Sequence, residues 1–331
     1  MHHVTQTSPA PVKFKAVLAA LFLSLAVFHF TPAPLGAQAF PQLIAAAPAG
    51  ELQVPYAPAP ANATVYTAAP GLNVYFLNVG QGDSIYIELP GGHNALIDGG
   101  PSASATGGLA SFLTAKNVTH IDNVVLTHPH SDHYNGLGYV FSNLKVDNFY
   151  DTRLDNSGAT ADEKIRAQVQ GLGVNTIYPA AGDTLNWSTP AEVKVFNACS
   201  EPQSSSKSDV VNNCSIVIRL AYEGSSILFM GDVQNAAEQA LVQKYGAALK
   251  SDVLKVGHHG SKYSSTDAFL AAVKPAKAYI EVGKNNYGHP TQDALSRLVA
   301  AGASIYRSDL NDTQEYSVGG SAEPVVLRQA D

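Results

Sequence analysis

The sequence predicts an α/β fold, two β-sheets packed together with helices on the outside. Two observations predict it. Glycine-punctuated β-rich runs crowd the first part of the ordered region, and strand and helix patterns alternate in the second. The 331 residues are 45% hydrophobic and 14% charged. That suits one core of roughly 260 residues once the N-terminal segments are set aside.

Residues 1–39 read as an export signal. Lys13 and Lys15 precede the apolar run AVLAALFLSLAVFHF, and Ala37-Gln38-Ala39 matches a small-x-small cleavage site. The run is short for a membrane span and prolines follow it closely, so no membrane contact is expected after cleavage. A retained N-terminal anchor is the alternative. Residues 40–70 are Ala/Pro-rich and read as a linker. The expected location is periplasmic or extracellular, and oligomeric state is not legible.

Order begins within the expected 71–331 domain. LNVYFLNV and DSIYIEL are strands separated by Gly80-Gln81-Gly82. NALIDGG is a strand ending in Asp98, GLASFLTAKN a helix, and NVVLT a buried strand. A helix at Ala161–Gln170 and strands near Val174–Tyr178 and Glu192–Asn197 follow. After the polar segment between Cys199 and Cys214 come the strand pair SIVIRLAYE and SSILFMGD and a helix at Asn235–Tyr245. Strand DVLKVGHHG, helix STDAFLAAV, strand AKAYIEV, helix TQDALSRLVAAG and strand SIYRS close the pattern.

In an oxidising compartment, Cys199 and Cys214 read as a disulfide closing a loop with no core of its own. Such a bridge contributes about 3 kcal/mol. Two buried free thiols are the alternative, and neither cysteine has metal-site spacing.

Removing residues 1–39 takes out two of the 20 basic residues and none of the 27 acidic ones, leaving a net charge of −9. That balance argues against a stable nucleic-acid complex. It does not exclude cleavage of phosphodiesters by cations that bring their own charge. Neither a GxSxG elbow nor a Walker loop is present.

The chemistry concentrates in THPHSDHYNG, which places His128, His130, Asp132 and His133 within six residues, directly after an apolar strand. Imidazole and carboxylate are ligands that zinc, manganese and iron accept. Alternate residues of a loop leaving a strand can serve two neighbouring ions: His128 and His130 one, Asp132 and His133 the other. Further strand ends supply Asp232 after SSILFMG, where it could bridge two cations, and His258 or His259 in VGHHG. Asp98 is expected behind the ligands, orienting a histidine. One such residue alone would read as a turn or a cap; four strand ends make coincidence a poor account.

These segments resemble the metallo-β-lactamase superfamily, whose HxHxDH motif is met by His128, His130, Asp132 and His133. More narrowly, FLNVGQGDSIYI, ALIDGG, NNCSIVIRL, LFMGDV, VLKVGHHGS and NNYGHP look like the soluble hydrolase domain of ComEC-type DNA-uptake proteins and their stand-alone relatives. The resemblance spans Leu72 to about Arg307. It implies an αββα four-layer sandwich with the site at one edge between the sheets, and one or two zinc or manganese ions. Asp232 then bridges the ions, and His258, as the first residue to leave its strand, completes the second site, with His259 as the alternative. The histidine that usually completes the first site has no counterpart; Val211-Asn212-Asn213-Cys214-Ser215 stands there, with Asn213 near the ligands. His289 is expected to assist a leaving group, and Ser261, Lys262, Lys284 and Asn286 to meet substrate.

The expected activity is metal-assisted hydrolysis in which Asp132 or Asp232 orients the attacking water. The narrow resemblance favours a secreted phosphodiesterase or nuclease acting on small phosphodiesters or nucleic acid. Alternatives are an acyl hydrolase such as a lactonase or β-lactamase, or a non-catalytic extracellular metal-binding module.

Overall fold

The computed structural model describes residues 71–102 and 108–319; the expected signal and linker lie outside the described residues. The first half contains β1 (Leu72–Phe76), β2 (Ile85–Glu88), β3 (Asn94–Ile97), α1 (Gly108–Ala115) and β4 (His120–Val125). Then come α2 (Ser131–Tyr134), α3 (Leu137–Asn143), β5 (Lys145–Tyr150), β6 (Leu154–Asn156), α4 (Ala161–Leu172) and β7 (Asn175–Ile177). The second half runs through β8 (Glu192–Asn197), β9 (Gln203–Ser205), α5 (Ser208–Asn213), β10 (Val217–Tyr222), β11 (Ser225–Phe229) and α6 (Asn235–Tyr245). It ends with β12 (Val253–Lys255), α7 (Asp267–Val273), β13 (Lys277–Ile280), α8 (Gln292–Ala300), β14 (Ser304–Arg307), α9 (Ser308–Asn311) and β15 (Gln314–Val318).

Two mixed sheets result. One has the order β15-β1-β2-β3-β4-β5-β7, the other β14-β13-β12-β11-β10-β8. Strands β3, β4, β5 and β7 run parallel, as do β11, β12, β13 and β14. Both sheets are buried on two faces, which is why β1 is buried at all five positions instead of alternating. Between the sheets lie Val74, Phe76 and Ile97 from one side and Val195, Ile218 and Ile227 from the other. Phe76 and Tyr279 stack across this layer with centroids 4.1 Å apart. A pair like that adds about 0.5–1.5 kcal/mol beyond area burial.

The two outer layers have their own cores. Leu109 and Leu113 of α1, Val140 of α3 and Val169 of α4 pack on the first sheet with Leu96 and Val124. Leu241 of α6, Leu270 of α7 and Leu298 of α8 pack on the second with Leu254 and Ala278. The order is therefore helix, sheet, sheet, helix, the expected αββα sandwich. No helix among the described residues is long and apolar enough to cross a membrane.

Two features differ from expectation. The Cys199–Cys214 disulfide is formed, but its segment does have a core. It contains β9 and α5, and Val211 of α5 is fully buried beside Leu154 and Cys214. The paired valines in SDVVNN supply one apolar anchor amid the serines, and that suffices for a turn of helix. Strand β15 lies beyond Arg307, where the recognisable motifs end, and pairs antiparallel with β1 as a sheet edge. Its polar composition, QEYSV, fits an edge strand and masked it in the sequence.

Candidate metal centre

The C-terminal ends of the parallel strands converge on one edge of the sandwich. After β4 comes Thr127 and the histidine cluster. Asp98 directly follows β3, β11 leads to Asp232, and β12 leads to His258 and His259. Such ends leave unpaired backbone and room for loops, so ligand-type side chains gather there.

Donor atoms fall into two groups. His128, His130 and Asp232 place one ligand atom each within 4.8 Å of one another; so do Asp132, His133 and His259. Asp232 joins them. Its Oδ2 lies 3.4 Å from His133 Nε2, 3.5 Å from His259 Nε2 and 3.8 Å from His128 Nε2. The facing His128 Nε2 and His130 Nδ1 are 3.0 Å apart.

Three of the imidazoles are held from behind. His133 Nδ1 meets Asp98 Oδ2 at 2.8 Å, and Asp98 is itself fixed by the backbone N–H and hydroxyl of Thr127, both at 2.7 Å. His128 Nδ1 lies 3.1 Å from Thr127 Oγ1 and 3.3 Å from Ser215 Oγ. His259 Nδ1 donates to the Glu281 carbonyl at 2.9 Å and stands 3.1 Å from Asp83 Oδ1. These contacts leave the Nε2 atoms of His128, His133 and His259 turned to the centre. The loop after α2 closes tightly: Gly99 N–H donates to the His133 carbonyl at 2.6 Å, and a Cβ on Gly136 would strike the Gly99 carbonyl.

A cation fits this donor set. His133 Nε2, His259 Nε2 and Asp232 Oδ1 are buried and have no hydrogen-bond partner. Three buried polar atoms left unsatisfied on these neighbouring side chains would be costly without a bound ion. The electrostatics agree. Burial opposes charge on His133 and His259, yet the Asp232 carboxylate, helped by Asp98 and Asp83 respectively, holds both well above the ordinary imidazole value. Burial pushes His128 well below it. Against burial, the His259 and His133 charges hold Asp232 well below the usual carboxylate range. Asp132 is lowered too, burial being outweighed by the His259 imidazole 3.4 Å away and by His133.

His259 takes the place expected of His258. The turn GHHG carries both residues in the left-handed region, at φ 49° and 52°. Two such residues in succession reverse the chain, so the second histidine points inward and the first turns toward the opening. His258 Nδ1 lies 3.2 Å from Gln234 Nε2, and its Nε2 remains 3.8 Å from Asp232.

Asn213 is also displaced by its neighbour. Its Oδ1 accepts the Gln234 N–H at 2.9 Å, tying α5 to the β11–α6 loop. Asn212, 1% exposed and with an unpartnered Oδ1, is the asparagine that lines the cavity. This opening, of about 200 Å3, is also lined by Gln81, His130, Asp132, Asp232, His258, His259, Tyr287 and His289. Burial, then the His258 and His259 charges, push His289 down to about 4. Ser261, Lys262, Lys284 and Asn286 do not line it. Ser261 is buried in the turn below, where its hydroxyl accepts the Tyr263 N–H. Lys262, Lys284 and Asn286 project to solvent. The neighbouring Asn285 instead staples the loop, donating to the Gly283 and His289 carbonyls and accepting the Tyr287 and His289 N–H groups.

Sequence reasoning missed the charges beneath the cage. Lys255 is completely buried, and its ammonium donates to Asp83 Oδ2 at 2.6 Å and to the Val256 carbonyl at 3.1 Å. Glu281 Oε2 stands 3.9 Å away. Burial and the Asp83 charge push the Glu281 carboxyl well up, so Lys255 is paired with one anion, Asp83. A lysine inside the apolar strand VLKV was the available signal, since an unpaired ammonium cannot stay there.

Residues 77–283 match the family described as the metallo-beta-lactamase superfamily. ComE operon protein 3 of Bacillus subtilis (strain 168) is 31% identical over 264 residues, covering 73% of this chain and 32% of its own length. Competence protein ComA of Neisseria gonorrhoeae is 31% identical over 243 residues, with the same two coverages. The chain therefore spans about a third of the length of these relatives. Among solved structures, CmlA, a diiron β-hydroxylase from Streptomyces venezuelae, superposes with a TM-score of 0.50 at 14% identity, over 76% of this chain and 54% of its own. It shares the fold.

Proposed function

Because the chain belongs to the metallo-beta-lactamase superfamily and is similar to competence proteins, we propose that it is an exported, metal-dependent phosphodiesterase or nuclease. The observation that carries this reading is the pair of donor groups sharing the Asp232 carboxylate at the floor of the cavity. In such a site divalent cations activate water near neutral pH and neutralise the attacking and leaving oxygens of an in-line displacement.

The chain's own groups divide the remaining work. His128, His130 and Asp232 would hold one ion, and Asp132, His133, His259 and Asp232 the other. Asp132 reaches the cavity and stays ionised, so its carboxylate is the group that orients an attacking water. With a value of about 4, His289 is neutral at pH 7. It would thus contribute a hydrogen bond to a departing oxygen instead of protonating it. The exposed Tyr287 ring, 5.7 Å from His289, offers a face to an aromatic group on the substrate.

Export rests on the signal-like N-terminus and is consistent with the disulfide. The test is metal analysis of purified protein, then turnover of a bis-aryl phosphodiester and of single- and double-stranded DNA with zinc or manganese. Cleavage abolished by Asp132→Ala supports the reading. Hydrolysis of nitrocefin or a lactone but of no phosphodiester, under any metal, removes it.

A further inference from the structure

The opposite end of the first sheet carries a second set of metal-type donors. His120 opens β4, the strand whose far end delivers His128. Asp122 lies two residues on and shares its face of the strand. Register pairs His120 with Lys145 and Ile121 with Val146 of the parallel β5, which sets Asp147 beside Asp122. One ligand atom each of His120, Asp122 and Asp147 lies within 4.8 Å of the others. His120 Nε2 is 2.8 Å from Asp147 Oδ2, and His93 Nδ1, just before β3, is 3.1 Å from Asp122 Oδ1.

These donors are fixed by the backbone around them. Asp122 Oδ2 accepts the Asn94 N–H, and the Asp122 N–H donates to Asn94 Oδ1, both at 2.9 Å. Asn94 Nδ2 also donates to the His120 carbonyl at 3.0 Å. One residue of β3 thus pins two donors of β4 and leaves Asp122 Oδ1 facing imidazole. Lys145 occupies only Asp147 Oδ1, and its own side chain is 73% exposed.

We propose that His120, Asp122 and Asp147 form a second divalent-cation site of the zinc class, separate from the cage, with solvent in the remaining position. Imidazole and carboxylate donors suit zinc. Nitrogen and oxygen bound tetrahedrally to zinc stand about 3.4 Å apart. The 2.8 Å separation of His120 and Asp147 is that of a hydrogen-bonded pair, so displacing the bridging proton asks it to open by about 0.6 Å. The ion would clamp β4 to β5 at the edge remote from the cavity.

The test is equilibrium dialysis of the full chain against zinc at neutral pH, with bound metal read by atomic emission. The expected result is one equivalent fewer in His120→Ala and in Asp122→Asn than in wild type, and a smaller rise in melting temperature on adding zinc. Equivalents lost in Asp232→Asn are separate and persist in both variants. Should His120→Ala fail to fold by circular dichroism, the conservative Asp147→Asn carries the comparison, with weakened zinc binding at the same equivalent expected. Equal zinc content and affinity in wild type and all folded variants overturns the proposal.

Discussion

Asp83 holds His259 from the side away from the cavity: Oδ1 lies 3.1 Å from the imidazole Nδ1, while Oδ2 accepts the buried Lys255 ammonium at 2.6 Å. The chain of contacts runs from a lysine inside β12, through a carboxylate ahead of β2, to a histidine facing Asp232. It crosses from one sheet to the other.

Lys255→Met should therefore destabilise the fold by about 3–5 kcal/mol, since it leaves the buried Asp83 carboxylate without its ammonium partner. Asp83→Asn should lower metal affinity roughly 10–100-fold by loosening His259. Urea denaturation checks the first and a competitive chelator titration the second. An unchanged midpoint in Lys255→Met would refute the pairing.

His258 and His259 separate on metal content. His259→Ala should lose an equivalent of bound metal, whereas His258→Ala should retain full stoichiometry, because only His259 falls in the donor group with Asp132 and His133. Atomic emission on dialysed variants decides, and the reverse pattern would contradict the inward placement of His259.

Metal uptake should release protons. In the metal-free chain His133 and His259 have values held well above 6.5, so both carry protons that a cation must displace. Their contribution to metal-free stability is complete below the ordinary imidazole value and is lost as pH rises through the raised one. With metal bound the trend inverts, and affinity falls as pH is lowered. Calorimetry in buffers of differing ionisation enthalpy counts the protons; zero release would contradict the charged state.

Reducing the Cys199–Cys214 bridge should reach beyond stability. A loop of this size contributes about 3 kcal/mol when closed. The helix α5 inside it also carries Ser208 and Asn212 to the cavity wall. Treatment with a thiol reductant should lower the urea midpoint and raise KM more than it lowers kcat. A KM unmoved by complete reduction would separate the bridge from the cavity.

What was legible in the sequence was what lies close together along the chain or ends a strand. The HxHxDH cluster, Asp98 and Asp232 could be named because an apolar run delivering an acid or imidazole is visible in one dimension. Asn212 faces the cavity in place of Asn213 because both lie in helix α5, whose pitch sends neighbours in different directions; the choice between His258 and His259, left open by the sequence, has another cause. The direction a side chain takes after a strand depends on backbone dihedrals, and two successive positive φ angles at non-glycine residues leave no mark in composition. Asp83, Lys255 and Glu281 went unread because their meaning is mutual. Each is an ordinary residue until a fold places the three beneath His259.

The cage is assembled from both halves of the chain. The turn after β4 brings four of its residues from the first sheet, while Asp232 and His259 arrive from the second. Ions held between them would be rivets through the seam of the sandwich. A metal-starved molecule would lose its chemistry and its grip along that seam together, so scarcity would silence the protein and open it to proteases in a single event.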